Sequence, residues 1–334
     1  MSTSDTREIV VITGASAGVG RATALAFARR RARIALVARG VIGLEATRRD
    51  VEELGGEGLA IPTDVSDPAQ VESAAERAEA TLGPIDIWIN NAMTTVFSEF
   101  KDITPEEFRR VTEVTYLGTV YGTMAALKRM LPRDRGTVVQ VGSALADRSI
   151  PLQSAYCGAK HAVRGFTDSI RSELIHDRRQ VHLTMVQLPA VNTPQFNWSR
   201  SHMPRRPQPV PPIFQPEIAA EGIYWAAHHT RRELEIGWPT VGAMWGNRFF
   251  RGYLDRRLGW KAYDGQMTDE REDPRRPDNL WRPVEGDFGA HGEFDERARD
   301  QAWEFWASRH RRAIGLAAAV LSVAALGLAW SRRR

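Results

Sequence analysis

The chain has 334 residues, of which 43% are hydrophobic and 26% are charged, and its formal net charge at pH 7 is +4. This composition excludes a wholly disordered or collagen-like chain, and the length accommodates one α/β domain of about 200–250 residues with an extension. A single cysteine, Cys157, excludes a disulfide framework and a cysteine-based zinc site, and it fits a reducing compartment.

Short apolar segments alternate with helix-length segments along the first half of the chain. The segments rich in Val and Ile that we expect to form strands are Ile9–Thr13, 34–37, 58–61, 85–89, Thr137–Val141 and 181–188. The predicted helices include 18–31, 69–82 after Asp67 and Pro68, and a long helix from the capping-box spacing at Thr104 toward Met130. Continuously apolar strands in βαβ order predict an α/β fold, a doubly wound, Rossmann-like parallel sheet with helices on both faces.

The first predicted strand leads into a glycine-rich loop, TGASAGVG at residues 13–20, and then directly into a helix. Glycines let the backbone approach phosphates, and the N–H groups at a helix start bind negative charge. The loop therefore predicts a site for the pyrophosphate of a dinucleotide. The residues that we expect to bind it are Gly14, Ser16, Ala17, Gly18, Val19 and Gly20.

The ends of the next strands predict the rest of the cofactor site. The second strand ends in Ala38 and Arg39, where an NAD enzyme normally has an acid that binds the ribose hydroxyls. The planar fork of Arg39 can pair with a 2′-phosphate, so NADP is favoured over NAD, with a simply exposed Arg39 as the alternative. We expect Asp64 and Val65 near the adenine, and Asn90 and Ala92 near the nicotinamide ribose.

Tyr156 and Lys160 lie four residues apart, which places a phenol and an ammonium group one above the other on a helix face. Ser143 follows the strand Thr137–Val141, and such strand ends line the crevice of a doubly wound sheet. A phenol has an unperturbed pKa of about 10, and a nearby positive charge favours its anion. We therefore expect Tyr156 to act as an acid or base, Lys160 to supply the charge, and Ser143 to bind the substrate oxygen.

In this order and spacing, the motifs resemble those of the short-chain dehydrogenase/reductase family over residues 7–240. The resemblance implies hydride transfer between NADP(H) and an alcohol or ketone carbon. It implies that Tyr156 is the general acid/base, that Lys160 contacts the cofactor ribose and lowers the pKa of the phenol, and that Ser143 positions the carbonyl. Thr193 would lie on the carboxamide side of the cofactor, and the protein would form a homodimer or homotetramer.

Three positions depart from the family pattern. Thr115 stands where the family usually has an asparagine that completes a proton relay through a water. Met93 follows Asn-Asn-Ala in place of glycine, and Ala190 replaces the glycine of the usual Pro-Gly. These departures leave an alternative, a non-catalytic dinucleotide-binding sensor or scaffold at a membrane, although a scaffold needs none of the three catalytic side chains.

Residues 193–216 contain seven prolines, which preclude a long helix or a central strand. An insertion after a late strand of such a sheet usually lies over the ligand crevice, so we expect a flexible substrate lid, with a surface loop that contacts no ligand as the alternative. A helix at 217–229 and a strand at 234–237 would complete the sheet. A hydrophobic substrate is favoured by the apolar lid residues Phe196, Trp198, Met203, Ile213 and Phe214.

The rest of the chain divides into an extension at 241–312, whose fold the pattern does not predict, and an apolar segment at 313–330. The apolar segment has eighteen uncharged residues between arginines and would span roughly 27 Å as a helix, as a transmembrane anchor does. Its many alanines leave two alternatives, a helix packed on the domain or an oligomer contact. Because no secretory signal is visible and basic residues are mixed with acidic ones, we expect a cytoplasmic catalytic domain at a membrane, without a nucleic-acid partner or a metal site.

Removing residues 313–334 tests the predicted anchor. If the segment spans a bilayer, the full-length protein stays with the membrane fraction in high-salt buffer, whereas the shortened protein is released by salt alone. Ultracentrifugation of membrane preparations measures the difference. A full-length protein that is soluble without detergent would contradict the anchor.

Overall fold

The computed structural model describes residues 7–311, and a parallel sheet of seven strands lies at its centre. The strands of the described residues are β1 (Ile9–Thr13), β2 (Arg33–Ala38), β3 (Glu57–Pro62), β4 (Ile87–Asn90), β5 (Val96–Phe97), β6 (Thr137–Val141), β7 (His182–Gln187), β8 (Ala190–Val191), β9 (Arg200–Ser201), β10 (Arg205–Pro207), β11 (Ile213–Phe214), β12 (Glu233–Glu235), β13 (Met267–Arg271) and β14 (Ala298–Arg299). The large sheet has the order β12-β7-β6-β4-β1-β2-β3, and its neighbouring strands are parallel. The strand order reverses between β1 and β4, which is where ligands bind in sheets of this kind.

Helices cover both faces of this sheet. The helices of the described residues are α1 (Gly18–Ala28), α2 (Val41–Glu53), α3 (Pro68–Leu82), α4 (Pro105–Thr112), α5 (Gly118–Met130), α6 (Ser154–His176), α7 (Pro216–Ala227), α8 (Trp238–Phe249), α9 (Arg251–Gly265) and α10 (Trp303–Arg309). Along β1, Val10 and Ile12 join a core with α1 and α7, whereas Ile9 and Val11 join a second core with α3 and α5. Both sides of the strand are apolar because both are covered. The predicted fold class, a doubly wound parallel α/β sheet, is confirmed.

The predicted long helix from Thr104 toward Met130 is interrupted. Thr104 forms the expected capping box with Glu107 and starts α4. A π-helical turn at Glu113–Leu117 then separates α4 from α5. Such turns are frequent at functional sites, and this one brings Thr115 against the loop that follows β4.

The proline-rich segment 193–216 forms no long helix or central strand, but it is not free along its length. β9 pairs with β5, β10 pairs with β13, and β11 lies between β8 and β14. Strands of two or three residues at the edges of small sheets tolerate proline because few of their N–H groups have to bond. The predicted flexible lid is therefore a segment fixed at three points.

Residues 238–311 fold back onto the domain that contains the seven-stranded sheet. α8 starts at Trp238, so the predicted domain boundary at residue 240 falls inside a helix. Beyond α9, β13 pairs with the lid strand β10, and Ala302 and Phe305 join the core beside α1 and α7. None of the helices within residues 7–311 has the length and apolar character to cross a membrane, and the predicted anchor at 313–330 lies outside the described residues.

Candidate active site

A cavity of about 420 Å³ lies where β1, β2, β4, β6 and β7 end. The loops after parallel strands meet at this edge of the sheet, so the glycine loop, the start of α6 and the lid come together there. The predicted site residues that line the cavity are Gly14, Ser16, Ala17, Gly18, Val19, Arg39, Asp64, Val65, Ala92, Ser143, Tyr156, Lys160 and Thr193. The two others, Gly20 and Asn90, lie behind its wall.

Asn90 and Gly20 have structural roles. The Asn90 carboxamide is buried, accepting a hydrogen bond from Trp88 Nε1 (2.8 Å) and donating one to Gln140 Oε1 (2.9 Å). A Cβ at Gly20 would lie 2.0 Å from the carbonyl oxygen of Gly14, so a glycine is needed for α1 to approach the loop. The Asn90 side chain therefore lies behind the wall of the cavity, whereas the next two residues in sequence line it.

Asn91 ties the loop after β4 to the glycine loop. Its side-chain amide donates to the carbonyl oxygens of Thr13 (2.9 Å) and Gly14 (3.2 Å), and its backbone N–H donates to Thr13 Oγ1 (2.9 Å). A Cβ at Gly14 would lie 2.8 Å from the Cα of Ala92, so only glycine permits this approach. The two loops are held at a fixed spacing, and the sequence analysis missed Asn91 because spacing does not show which of two adjacent asparagines faces the cavity.

The glycine loop presents backbone N–H groups to the cavity. Gly14 (φ +69°) and Gly18 (φ +56°) adopt left-handed conformations that other residues rarely take. The N-cap residue of α1 is Ala17, and no side chain caps the first turn. Within the described residues, the Gly18 N–H donates to the Gly289 carbonyl (3.1 Å), and the amides that follow it in this turn are open to an anion.

Arg39 and Asp64, at the other end of the cavity, both have protein partners. The Arg39 guanidinium donates to the backbone carbonyls of residues 279–281, and burial lowers the pKa of Arg39. Asp64 accepts hydrogen bonds from Arg110 (2.5 Å) and from Ser66. Burial opposes ionisation of this carboxyl, but these bonds outweigh burial and hold the pKa of Asp64 below its ordinary value.

Ser143, Tyr156 and Lys160 meet on one wall of the cavity. Ser143 and Tyr156 both line it, and the Ser143 side chain lowers the pKa of the Tyr156 hydroxyl. Lys160 Nζ donates to the Val141 carbonyl (2.7 Å) and lies 5.6 Å from the centre of the Tyr156 ring. The Ser143 N–H donates to Gln187 Oε1 on β7 (2.6 Å), which fixes the backbone at the serine. The three side chains chosen from sequence spacing are therefore neighbours in the fold.

Burial controls the ionisation of Tyr156 and Lys160. It raises the pKa of the Tyr156 hydroxyl above its ordinary value, and the Ser143 side chain opposes only part of that rise. It also lowers the pKa of Lys160 to about 8. Burial, and not the charge of Lys160, is the main influence on the pKa of the Tyr156 hydroxyl in this structure. Tyr156 is therefore protonated at neutral pH, which is the state that a proton donor needs.

Thr115 holds the loop after β4. Its fully buried hydroxyl donates to the Thr94 carbonyl (2.9 Å) and accepts from the Thr94 N–H (3.1 Å). Thr94 and its neighbours Met93 and Thr95 line the cavity. The structure thus gives Thr115 a positioning role at this loop.

The extension supplies a wall of the cavity that the sequence did not predict. Its lining residues are Asn279, Pro283, Val284, Gly286 and Phe288. Asp287 forms an ion pair with Arg21 of α1, and the Phe288 ring packs edge-to-face on Trp198 of the lid, with ring centres 4.7 Å apart. No periodic pattern marks such an irregular segment. Its only sequence signal is glycine, and the glycines at 286 and 289 have positive φ.

Apolar side chains line the same cavity as Ser143, Tyr156 and Lys160. They include Leu145, Ile150, Phe196, Trp198 and Val210. The other residues on which a hydrophobic substrate was predicted do not line the cavity. Met203 and Ile213 pack behind Phe196 in one cluster, and Phe214 belongs to the main core. The apolar character of the site therefore comes from the lid and from the loop after Ser143 together.

Known proteins are similar to this chain in sequence and in fold. The family model for short chain dehydrogenases matches residues 8–204. The uncharacterized oxidoreductase YxnA of Bacillus subtilis is 31% identical over 324 residues, which are 95% of this chain and 89% of that protein. The 3-dehydrosphinganine reductase of Danio rerio is 32% identical, and the match covers 56% of this chain and 57% of that protein. A solved alcohol dehydrogenase from the archaeon Thermococcus sibiricus, complexed with 5-hydroxy-NADP, is 28% identical with a TM-score of 0.59 and covers 69% of this chain and 96% of its own.

The ionisation of Lys160 predicts a pH dependence of cofactor binding. If the ammonium group contacts a cofactor ribose, the affinity for NADPH falls as the pH rises through about 8, because the neutral amine loses a charge-assisted hydrogen bond. Fluorescence titration with NADPH over this pH range measures the change. The variant Lys160→Arg stays charged and is expected to show a flatter profile. An affinity of the wild type that does not vary with pH would contradict the contact.

Proposed function

Because the chain belongs to the short chain dehydrogenase family, we propose that it is an NADP(H)-dependent oxidoreductase that interconverts an alcohol and a ketone or aldehyde. The proposal rests on Ser143, Tyr156 and Lys160, which line one cavity together with the glycine loop, with Lys160 Nζ 5.6 Å from the centre of the Tyr156 ring. A proton donor, a hydrogen-bond donor for a carbonyl oxygen and an anion-binding helix start share this site.

The residues of the cavity suit a nicotinamide dinucleotide. The uncapped first turn of α1 can bind a pyrophosphate through its N–H groups. Lys160, whose partner in this structure is the Val141 carbonyl, can donate to the ribose hydroxyls, and Thr193 can bind the carboxamide. When bound, the nicotinamide supplies or accepts the hydride.

In the reducing direction, Ser143 and Tyr156 both bind the carbonyl oxygen of the substrate. This polarises the C=O bond, so that its carbon accepts a hydride while the Tyr156 hydroxyl gives its proton to the oxygen. Ser143 and the charge of Lys160 stabilise the resulting tyrosinate. In the oxidising direction the tyrosinate takes the proton of the alcohol, and the carbon gives up the hydride.

A preference for NADP over NAD is proposed from the end of the cavity at β2. Ala38 offers no carboxylate for the ribose hydroxyls, and Arg39 lines the cavity. The bonds of Arg39 to residues 279–281 occupy three of its five N–H groups, which leaves two for a 2′-phosphate. The Thermococcus alcohol dehydrogenase was solved with an NADP derivative, which is consistent with this preference.

A hydrophobic, lipid-like substrate suits the apolar part of the cavity near Leu145, Ile150 and Phe196. The similarity to a protein named 3-dehydrosphinganine reductase is consistent with that class.

The proposed location is a cytoplasmic catalytic domain held at a membrane by residues 313–330, in a homo-oligomer.

Tyr156→Phe separates an enzyme from a dinucleotide-binding scaffold. Loss of the proton donor is expected to lower kcat by about 10²–10⁴-fold, while the affinity for NADPH changes little because phenylalanine keeps the ring. NADPH absorbance with a panel of ketones measures turnover, and fluorescence titration measures binding. Tyr121→Phe on α5, which does not line the cavity, is the matched control. If Tyr156→Phe turns over as fast as the wild type, the catalytic assignment is wrong.

Arg39→Asp tests the cofactor preference. The substitution removes charge-assisted bonds to a 2′-phosphate and introduces an acid that can bind a ribose diol, so affinity for NADPH should fall about 10–100-fold relative to NADH. The substitution also removes the bonds of Arg39 to residues 279–281, which affects the binding of both cofactors. The readout is therefore the ratio of the dissociation constants for NADPH and NADH. Arg49→Asp on the exposed side of α2 controls for the change in charge. Equal losses for both cofactors would refute the role of Arg39.

A further inference from the structure

The solvent-facing sides of α8 and α9 are aromatic. In α8, Trp238, Trp245 and Phe249 recur at helical spacing and are 48%, 53% and 64% exposed. In α9, Tyr253 and Trp260 lie seven residues apart and are 64% and 80% exposed. Protein surfaces rarely carry so many large apolar side chains together unless they bind something. We refer to residues 238–265 as the aromatic helix pair.

The opposite sides of these helices pack on the catalytic domain. On α9, Leu254, Leu258 and Ala262 follow one another every four residues and are half-buried or buried. On α8, Asn247 Nδ2 donates to the Asp147 carbonyl (2.6 Å). Because the inner faces of both helices already pack against the domain, the outward aromatic residues belong to its surface and not to its core.

Positive charge surrounds the aromatic side chains. The cations of the aromatic helix pair are Arg248, Arg251, Arg256, Arg257 and Lys261. Its two acids, Asp255 and Asp264, form ion pairs with Arg148 and Arg205, which lie outside it. Among the described residues, none of the five cations has an acidic partner. The surface is therefore complementary to an anionic partner.

The aromatic helix pair adjoins the cavity and the lid. Pro239, in the first turn of α8, lines the cavity. Arg148, in the loop after Ser143, donates to Asn247 (3.2 Å). On the lid side, Gln208 Nε2 donates to the carbonyl of Met267, just beyond α9 (2.8 Å). A partner of this surface would therefore lie beside the segments that frame the substrate end of the cavity.

Charge distinguishes among the candidate partners. In a two-fold dimer through this face, each copy would set its five cations against the same five on the other copy. The chain's own residues 312–334 contain four arginines and no acid, so they repel the surface as well. A bilayer with anionic headgroups supplies the opposite charge, together with an interface into which Trp and Tyr side chains partition.

Single-stranded nucleic acid also combines negative charge with rings that stack, but proteins bind it in a groove. The five aromatic residues line neither the cavity described above nor a smaller pocket beside Arg148 and Asp255. They lie on the outer faces of two helices, which suits a flat, fluid surface better than a strand.

We propose that the aromatic helix pair is an interfacial docking surface for an anionic lipid bilayer. Its aromatic side chains insert between headgroups and its cations bind the lipid phosphates. This contact lays the lid and the substrate end of the cavity at the membrane surface. The docking is independent of the catalytic activity proposed above and of the predicted anchor at 313–330.

The single native thiol, Cys157, is buried, so a cysteine placed on the surface can be labelled selectively. An environment-sensitive fluorophore is attached to the full-length protein at Phe249→Cys or, separately, at Trp260→Cys. We expect its emission to shift to the blue when vesicles of phosphatidylglycerol and phosphatidylcholine are added, and less so with phosphatidylcholine alone. The matched control is Ile175→Cys on α6, which is 71% exposed and outside the aromatic helix pair, and which should not respond.

Charge reversal tests the electrostatic half of the proposal. Arg256→Glu/Arg257→Glu is expected to weaken vesicle binding, measured by the labelled Trp260→Cys protein, by more than about tenfold. Arg77→Glu/Arg179→Glu carries the same change in net charge at exposed positions elsewhere and should bind as the parent does. Thermal unfolding confirms that both variants are folded.

Four results would overturn the proposal. The first is sedimentation with vesicles without any shift at residues 249 and 260, which would assign membrane attachment to another segment. The second is a shift without vesicles that depends on protein concentration, which would indicate that a second copy of the chain covers the surface. The third is a shift without vesicles that does not depend on protein concentration, which would indicate that the chain's own tail covers it. The fourth is a shift caused by single-stranded DNA and not by vesicles.

Discussion

The hydrogen bond from Lys160 Nζ to the Val141 carbonyl sets the register of α6 against β6. A buried ammonium group needs such a partner because an unpaired charge in an apolar wall is costly. Tyr156, one turn before the lysine, is thereby carried to the level of Ser143, two residues beyond the end of β6. The arrangement of the catalytic side chains thus depends on one contact between a helix and a strand.

The cavity is assembled from segments far apart in the chain. Asn91 links the loops after β1 and β4, and the extension closes the opposite side through the ion pair of Asp287 with Arg21. The extension also binds Arg39, so the end of the cavity at β2 is built by two parts of the chain together. The match to YxnA spans 95% of this chain, which fits an extension that belongs to the same unit as the sheet.

The fold class, and the placing of Tyr156 beside Lys160, could be predicted because they depend on local periodicity. A separation of four residues on a helix places Tyr156 above Lys160 whatever surrounds them. The orientation of Asn90 could not be predicted, since it depends on how β4 registers with its neighbours. The role of Thr115 depends on a π-helical turn that no helix propensity indicates. The wall formed by the extension depends on contacts such as that of Asp287 with Arg21, which are 266 residues apart.

The hydrogen bond between the Gly18 N–H and the Gly289 carbonyl has a kinetic consequence. A diphosphate that uses this amide must displace the carbonyl, so loading and unloading of the coenzyme require the segment around Gly289 to move aside. If this displacement is the slowest step, release of the nucleotide limits turnover, and a rapid first turnover followed by a slower steady rate would be its signature.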